Sequence, residues 1–590
     1  MAKYARSRDR IGSTYSRKRA VTACLVCRFR KTKCDNSRPV CGFCQKNGEI
    51  CVFEGFKSDY STFDPASLAI LDRLNDISSQ IIQLQRLSTS EKSQECSALE
   101  ENDMIIMSTD SLYEQNILDW PIFGSSCRVV SAIDSSLSQA DDKCSSTDNG
   151  GDIPTNDLWN LIDQFLFNVH IKNPILDVQS LFVLARDVAK NGFRFDSSSC
   201  LLLHVCALGA VSTTYMYPQT NIAISSTETD CANIQRSLVY FREASRRLSL
   251  IPKFSLLEMQ CYVLSGIYHM FTMRPLHAWK QFHTTSVSCQ IYLEKNNGRL
   301  TDTLSRSLEQ RLFWTALKSE CEIQEYIPVP SFGIVNFKSP GTFPCPPCTS
   351  SGSEQRRGLE TIGGLASNID AKVERKSWYY YLTEILVRKI QNRVINTLYK
   401  DTNESWATMS FPKLVSIISE FETQLSKCHE QLADEIYFDL DTLHRHDEMI
   451  YHLQGRFWET YKYLYRPVLY CAIHTSAEAT YPQYCAFVAS ALHKLFRYCL
   501  QGCHSIYYRH HGTWLVLRSM FTSSLILLAG LKSGRLLCKE SAKECFIEVS
   551  RTLRYWEDEV SGVRYTRRLL DDLCADVGMV FEVDESLLLC

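Results

Sequence analysis

The larger part of the chain, residues 156–590, repeats apolar positions with the period of amphipathic helices. The first run places apolar residues from Leu158 to Val169 at positions i, i+3, i+4, i+7, i+8 and i+11, directly after the cap-forming Asn156 and Asp157. The same period predicts helices at 200–215, 231–249, 255–273, 276–294, 304–325, 373–398, 411–433, 439–466, 480–500, 512–531, 540–560 and 564–575. Alternation typical of strands is scarce, so we predict one large all-α body or two closely packed helical halves.

Loops and one very apolar run interrupt this helical pattern. Residues 328–348 contain six prolines and residues 349–372 begin with Ser and Gly, so we predict loops there. The run from Trp514 to Leu531 is the most apolar in the chain, but it contains Arg518 and several hydroxyl residues. We therefore interpret it as a buried helix rather than a membrane span, and we expect no membrane partner.

A shorter apolar pattern precedes the body. Residues 56–90 comprise a linker and then a run that begins near Pro65 and places apolar residues at spacings of 4, 3, 4 and 3. This heptad seam predicts a short coiled coil for dimerisation, with a plain amphipathic helix as the alternative. The residues of the seam are Ile70, Leu74, Ile77, Ile81 and Leu84.

Residues 91–155 are rich in Ser, Asp and Glu and lack periodicity, which predicts a disordered acidic linker. Apolar residues such as Ile105, Leu118 and Trp120 are scattered among the acids. An acidic activation segment is therefore the alternative interpretation of this stretch.

Charge is distributed unevenly along the 590 residues. Residues 1–57 hold fourteen Lys and Arg against four Asp and Glu, whereas the whole chain has a formal net charge of −2. A basic N-terminal segment followed by a more acidic remainder is typical of a polyanion-binding module joined to another part of the protein. Residues 1–20 are polar and basic without the apolar stretch of a signal peptide, so we predict a disordered basic arm and a reducing compartment. Clusters among the 26 cysteines then indicate metal ligands rather than disulfides.

Six cysteines within residues 21–55 use one half-motif twice, in the pattern C-x2-C-x6-C-x6-C-x2-C-x6-C. They are Cys24, Cys27, Cys34, Cys41, Cys44 and Cys51. Structural zinc takes four tetrahedral ligands, so two zinc ions need eight ligand positions from six sulfurs, and no His lies between these cysteines. Two thiolates must then bridge both ions, and the repeat symmetry favours Cys24 and Cys41. The alternatives, one four-ligand zinc site or an iron–sulfur cluster, each leave two thiols unused.

The two halves of the cysteine motif differ in charge. Four of the six residues between Cys27 and Cys34 are basic, whereas the six between Cys44 and Cys51 are nearly neutral. A short helix after Cys27 would present the cations to DNA phosphates and to the O6 and N7 acceptors of guanine. The basic residues are Arg28, Arg30, Lys31 and Lys33.

Residues 20–54 resemble the fungal zinc binuclear cluster family of transcription factors. The resemblance rests on the cysteine spacing, on the basic first half and on Pro39 in the loop that joins the halves. It implies that the first helix enters the major groove and that Lys31, flanked by Arg30, contacts a CGG-type triplet. It also implies that the linker and short coiled coil at 55–87 direct dimerisation.

Residues 157–348 are similar to the fungal-specific transcription factor regulatory domain. The similarity lies in diffuse apolar patterns rather than in a spaced motif, and it implies an all-helical regulatory region to which no catalytic residues are assigned. The stretches that carry it are 161–176, 256–279 and 311–330.

Enzyme motifs are missing from the sequence. The chain contains no G-x-G-x-x-G, H-E-x-x-H or G-x-S-x-G pattern and no phosphate-binding loop. Cys345 and Cys348 have C-x-x-C spacing, but they lie in a proline-rich loop without a second pair. His510 and His511 lack partner carboxylates at motif spacing, so we interpret them as structural and predict that the protein is not an enzyme.

The combined prediction is a nuclear, zinc-dependent regulator of transcription that binds double-stranded DNA as a homodimer and contacts the transcription machinery or co-regulators. The phosphate contacts are expected from Arg28, Arg30, Lys33, Arg17, Lys18 and Arg19. The last three form a basic run that also suits nuclear import. The alternative from another class is a zinc-stabilised module whose basic face meets an acidic protein or RNA. A metabolic enzyme with a DNA-binding head has no supporting motif.

Overall fold

The computed structural model describes the zinc-ligand region and most of the predicted helical body. The described residues are 24–35, 37, 40–48, 51, 112–124, 153–215, 227–296, 303–330, 371–444, 446–475, 480–504, 506–560 and 562–579. The chain divides into two units, residues 1–96 and 97–590. The predicted basic arm at 1–20, the coiled-coil seam at 70–84 and the C-x-x-C pair at 345–348 lie outside the described residues.

The described residues of the first unit form two short helices, α1 (Leu25–Phe29) and α2 (Gly42–Asn47). At the end of α1 the backbone turns left-handed at Lys31, with φ of 53°, and the Thr32 N–H donates to the Cys27 carbonyl at 3.1 Å. This is the helix-ending arrangement in which a left-handed residue lets a later N–H satisfy a terminal carbonyl. Gly48, with φ of 64°, ends α2 in the same conformation.

The second unit is helical, and its described residues contain no strand. Its helices are α3 (Glu114–Leu118), α4 (Leu158–Phe165), α5 (Val178–Asn191), α6 (Ser197–Val211), α7 (Thr227–Arg247), α8 (Leu256–Phe271), α9 (Pro275–Asn296), α10 (Thr303–Gln324), α11 (Ala371–Leu398), α12 (Asn403–Thr408), α13 (Phe411–Glu430), α14 (Glu448–His474), α15 (Cys485–Gln501), α16 (Thr513–Lys532), α17 (Lys539–Trp556) and α18 (Val563–Asp576). The prediction of an all-α body is confirmed for the part of the chain that the structure describes.

Helix α5 was not predicted, although its ends carry ordinary helix signals. Asp177 caps its start, because its carboxylate accepts from the Ser180 N–H at 3.0 Å, and Gly192 follows its end with φ of 71°. Its buried residues are Leu181, Phe182, Ala185 and Val188. The caps would have identified the helix where the short apolar stripe alone did not.

Helix α14 begins later and ends later than predicted. The helix predicted at 439–466 is wrong for its first nine residues, because Asp447 caps α14 by accepting from the Ile450 N–H at 3.2 Å. The helix then continues through Pro467, which has no N–H to give to the carbonyl of Tyr463. The Tyr399 hydroxyl donates to that carbonyl at 2.8 Å instead. A tertiary contact thus replaces the hydrogen bond that proline removes.

Helix α6 is buried along almost its whole length and packs against α4, α7 and α8. Its approach to α4 depends on Gly209, since a Cβ atom there would lie 2.0 Å from the carbonyl oxygen of Leu161. A carbon atom and a carbonyl oxygen cannot lie this close together. A side chain at residue 209 would therefore force α4 and α6 apart.

Gly209→Ala is therefore expected to destabilise the second unit by about 1–3 kcal/mol or more, since overpacking against backbone cannot be relieved by a rotamer change. Urea unfolding of the full-length variant measures this. Gly455→Ala is the matched control, because a Cβ atom at Gly455 in α14 meets nothing within 4 Å. It should be neutral or stabilising by up to about 1 kcal/mol. Equal effects at both positions would contradict the packing argument.

Several charged side chains form ion pairs inside the second unit. Lys318 of α10 donates to Glu384 of α11 at 2.7 Å, and both side chains are at most 4% exposed. Arg456 of α14 lies 3.5 Å from the same carboxylate and also donates to Glu322. Because a buried charge is costly unless it is compensated, these pairs fix the relative positions of α10, α11 and α14.

Helix α16 is, among the described residues, the helix long and apolar enough to cross a membrane by length and composition. Of its apolar window, 83% is buried inside the protein. Arg518 lies within this helix and forms a buried ion pair with Glu114 of α3. The expected burial of this run is therefore observed.

Residues 112–124 do not form part of a disordered linker. They contain α3 and a 3-10 turn at Pro121–Phe123, and they pack against α14 and α16 within the second unit. The prediction of disorder across 91–155 is wrong here, because the apolar residues of this stretch are concentrated enough to bury a continuous face. The buried residues are Leu112, Glu114, Ile117, Leu118, Trp120 and Phe123.

Candidate zinc centre and nucleic-acid interface

The six cysteines of the first unit gather into two overlapping groups of four. One group holds the sulfurs of Cys24, Cys27, Cys34 and Cys41, and the other those of Cys24, Cys41, Cys44 and Cys51. Within each group all sulfurs lie within 4.8 Å of one another. Two sulfurs, those of Cys24 and Cys41, belong to both groups.

The sulfur–sulfur distances suit tetrahedral zinc. Cys24 Sγ lies 3.7 Å from the sulfurs of Cys41 and Cys44, and Cys27 Sγ lies 3.7 Å from that of Cys41. A tetrahedron with zinc–sulfur bonds of about 2.3 Å has edges of about 3.8 Å. The donor set therefore fits two zinc ions in size as well as in chemistry.

Backbone N–H groups point at the two shared sulfurs. The Cys27 N–H donates to Cys24 Sγ at 3.4 Å, and the Cys44 N–H donates to Cys41 Sγ at 3.5 Å. The Cys44 N–H lowers the pKa of the Cys41 thiol. Burial acts to raise the pKa of Cys24, but the Cys27 N–H and the neighbouring thiols outweigh it and the pKa falls. Each C-x-x-C turn thus stabilises the negative charge on its first sulfur.

Asp35 joins the two halves of the cysteine motif, a role that sequence reasoning missed. Its carboxylate accepts from the Gly42 N–H at 3.0 and 3.1 Å and from the Ser37 hydroxyl at 3.1 Å. The Gly42 hydrogen bond holds the pKa of Asp35 below its usual range. A Cβ atom at Gly42 would lie 2.7 Å from the carboxylate, so glycine permits this contact. An acid directly after the third cysteine, in an otherwise basic stretch, was the available signal.

The basic residues after Cys27 lie on the surface of the cluster. Arg30, Lys31 and Lys33 are exposed, and Phe29 beside them is 90% exposed. Arg28 belongs to α1, but its side chain lies outside the described residues, as do Arg17, Lys18 and Arg19. The sulfurs face inwards and the described cations of this half face water, so this half presents a positive surface on a rigid core.

Two further groups of side chains in the second unit also contain metal-ligand residue types. In the first, the sulfur of Cys200 lies 3.7 Å from Nδ1 of His204, with Cys261 close by. The Nδ1–H of His204 donates to the Cys200 carbonyl at 2.9 Å, and the Cys200 thiol donates to the Ala244 carbonyl at 3.2 Å. The Cys200 thiol and the Nδ1–H of His204 therefore have partners within the core, and we assign no metal here.

The second group is Glu448, His452 and His510. Glu448 already accepts from Lys172 at 2.7 Å, and the Gly512 N–H donates to Nδ1 of His510 at 2.9 Å. The proton of the neutral His510 ring is then on Nε2, which leaves no lone pair for a metal. Burial lowers the pKa of His510 well below its ordinary value, so the ring stays neutral.

Comparison with known proteins agrees with the geometry of the first unit. Residues 22–60 match the family model of the fungal Zn(2)-Cys(6) binuclear cluster domain. The chain is 50% identical over 42 residues to the C6 finger domain transcription factor hasF of Aspergillus fumigatus, which covers 7% of this chain and 6% of that protein. It is 44% identical over 36 residues to the thiamine biosynthesis regulatory protein of Saccharomyces cerevisiae, covering 6% and 8%. It is 39% identical over 79 residues to the notoamide biosynthesis cluster transcriptional coactivator notQ' of Aspergillus versicolor, covering 12% and 14%.

The matched part of the chain thus spans 14% or less of the length of these relatives. No solved structure matches the chain. The N-terminal unit nevertheless carries a Zn(2)-Cys(6) binuclear cluster domain, and this domain binds two zinc ions.

Proposed function

We propose that the protein is a zinc-dependent, sequence-specific DNA-binding regulator of transcription that acts in the nucleus. The observation that carries the proposal is the pair of overlapping four-sulfur groups with an exposed basic stretch between Cys27 and Cys34. The family model of the Zn(2)-Cys(6) cluster matches residues 22–60, and relatives similar over 42 and 47 residues are named as transcription factors. A small rigid core with a cationic surface is suited to a polyanion, and its fixed geometry is suited to one sequence.

Cys24 and Cys41 are proposed to bridge the two zinc ions. Each belongs to both sulfur groups, and each receives a backbone N–H that offsets thiolate charge. The other four cysteines would each ligate one ion. Zinc here supplies structure rather than chemistry, because all its ligand positions are filled by protein.

Lys31 is proposed to contact the bases of a CGG-like triplet in the major groove. It stands at the end of α1 in a left-handed conformation, which directs the chain away from the helix at this residue. Arg28, Arg30 and Lys33 would contact phosphates, and the basic run at 17–19 would add contacts and serve nuclear import. The phosphate contacts would fix the position of the protein along the DNA, and this position would bring the Lys31 side chain to a base edge.

The remaining parts of the chain are proposed to direct dimerisation and regulation. The seam at 70–84 would dimerise the protein, so that two clusters bind paired triplets at a spacing fixed by residues 52–87. The helical second unit is proposed to be the regulatory domain, which contacts the transcription machinery or co-regulators. Support for this comes from its all-helical architecture and from the order of the units.

Lys31→Gly is expected to weaken binding to the best DNA site by about 1–3 kcal/mol, with little change on random duplex. Glycine adopts the positive φ of this position without strain, so the loss reports the side chain alone. Competition gel-shift titrations with full-length protein measure both affinities. Lys46→Ala, an exposed lysine in the neutral half of the cluster, is the control and should preserve the preference for the site. Equal loss on specific and random DNA would refute base contact by Lys31.

A further inference from the structure

Phe29 is a large apolar side chain that faces water on the surface of the first unit. It is the last residue of α1 and is 90% exposed, more than any other large apolar side chain among the described residues. Cys27, two residues earlier, is 1% exposed, and its sulfur lies 3.7 Å from that of Cys41. Two residues turn an α-helix by about 200°. The Phe29 ring therefore projects from the side of α1 opposite the sulfurs.

The second half of the cysteine motif shows that the fold does not require an apolar residue at this position. Phe29 is the second residue after the C-x-x-C turn of the first half, and Lys46 holds the same place in the second half. Lys46 is exposed as well. The backbone after each position is alike, because Lys31 and its counterpart Gly48 have φ of 53° and 64°. The same local structure thus accepts a charged residue, and packing within the cluster does not explain the phenyl ring.

The residues around Phe29 indicate the charge of the group that covers it. Arg30, Lys31 and Lys33 are exposed, and no acidic residue lies between Cys27 and Cys34. A surface of this kind attracts a polyanion. The group that covers the ring must therefore combine negative charge with an apolar patch. Duplex DNA has both, since its phosphates line the major groove and the C5-methyl of thymine is the apolar group on the base edges there.

The position of that thymine follows from the triplet proposed for Lys31. A CGG-type triplet pairs with CCG, so neither strand of it carries a thymine methyl. The methyl must belong to a base pair outside the triplet. Phe29 and Lys31 are two residues apart, which spans at most about 7 Å of chain. Base pairs repeat about every 3.4 Å along the duplex, so the thymine is expected within about two base pairs of the triplet.

We propose that Phe29 is a specificity-determining residue whose ring packs against the C5-methyl of a thymine beside the triplet. The inference rests on the proposed function and extends it, because each cluster then recognises a longer sequence than the triplet alone. Lys31 selects guanine through its charge and its hydrogen bonds, and Phe29 selects thymine through apolar contact. The two residues thus use different chemistry on neighbouring base pairs.

Removal of a single methyl group from the DNA tests the contact. Sites selected from random duplex by the zinc-loaded full-length protein should carry thymine at one fixed position beside each triplet. Replacing that thymine with deoxyuridine removes only the methyl, and wild-type binding should weaken about fourfold, the factor that corresponds to one buried methyl group. Phe29→Ala should weaken binding to the thymine site about tenfold and should bind the thymine and deoxyuridine sites equally. Competition gel-shift titrations measure all four affinities.

Two further variants serve as controls. Phe29→Leu keeps an apolar side chain and should retain most of the methyl effect. Lys46→Ala changes the equivalent position of the other half and should leave the methyl effect at its wild-type size. Zinc content per chain should remain two in all of these variants, because Phe29 and Lys46 are exposed and are not ligands.

The results that overturn this inference differ from those that overturn the proposed function. Enriched triplets without a thymine at a fixed position beside them would overturn the Phe29 contact alone. An equal loss on deoxyuridine in the wild type and in Phe29→Ala would do the same, as would a Phe29→Ala protein that binds the site as tightly as the wild type. Failure of the wild type to enrich any sequence would overturn the proposed function and this inference with it.

Discussion

Cys41→Ser is expected to remove both zinc ions from the full-length protein and to abolish DNA binding. Cys41 belongs to both four-sulfur groups, so its loss leaves each ion one thiolate short. Structural zinc contributes on the order of 10 kcal/mol of folding free energy in small domains, and a cluster of this size has little apolar core to replace it. Zinc content per chain, measured by elemental analysis after gel filtration, should fall from two towards zero.

Cys51→Ser is the comparison that separates the loss of a bridging thiolate from the loss of a thiolate that ligates one ion. Cys51 belongs to one sulfur group only, so this variant should retain more zinc than Cys41→Ser. Cys485→Ser controls for cysteine removal in general, because Cys485 is an exposed thiol on α15. A Cys41→Ser protein that still holds two zinc ions would show that Cys41 does not bridge.

Lys318→Met is expected to destabilise the second unit by about 3–5 kcal/mol, since it leaves the buried carboxylate of Glu384 without its nearest cation. Urea unfolding at neutral pH measures this loss. Lys280→Met is the control, because Lys280 is exposed on α9 and should change stability by no more than about 0.5 kcal/mol. Equal stability of the two variants would show that the ion pair is not needed.

The ion pair of Lys318 and Glu384 also makes the stability of the second unit depend on pH, in a direction that follows from the pKa of Glu384. Burial acts to raise the pKa of Glu384, but Lys318 and Arg456 outweigh it and hold the pKa below its ordinary value of 4.5. The stabilisation is therefore complete above pH 4.5 and is lost as the pH falls towards the folded-state pKa. Acid should destabilise the wild type more than Lys318→Met, in which this carboxylate is less strongly held in its charged form.

The cysteine spacing predicted the zinc-ligand region well because the constraint is local. Ligands three and seven positions apart must converge on one ion, so sequence distance determines spatial distance. Asp35 was missed because its partner is the backbone N–H of Gly42, and the sequence marks it only as an acid directly after the third cysteine. The close approach that Gly42 permits is a property of the folded structure rather than of the spacing of the cysteines.

The helices were predicted mainly from the period of apolar residues, and two of the errors occurred where a tertiary contact decides. Pro467 lies inside α14 because Tyr399 satisfies the carbonyl that proline leaves free. Residues 112–124 look like part of a polar linker because their neighbours are acidic and unpatterned. Their order depends on Arg466 and Arg518, which lie hundreds of residues later.

Selection of binding sites from random duplex DNA by the zinc-loaded full-length protein tests the central claim most directly. The proposal predicts enrichment of paired CGG-like triplets at one spacing, with affinity that falls steeply with salt and disappears on zinc chelation. A folded protein that holds two zinc ions but enriches no sequence, or that prefers RNA or an acidic protein over every duplex, would contradict it.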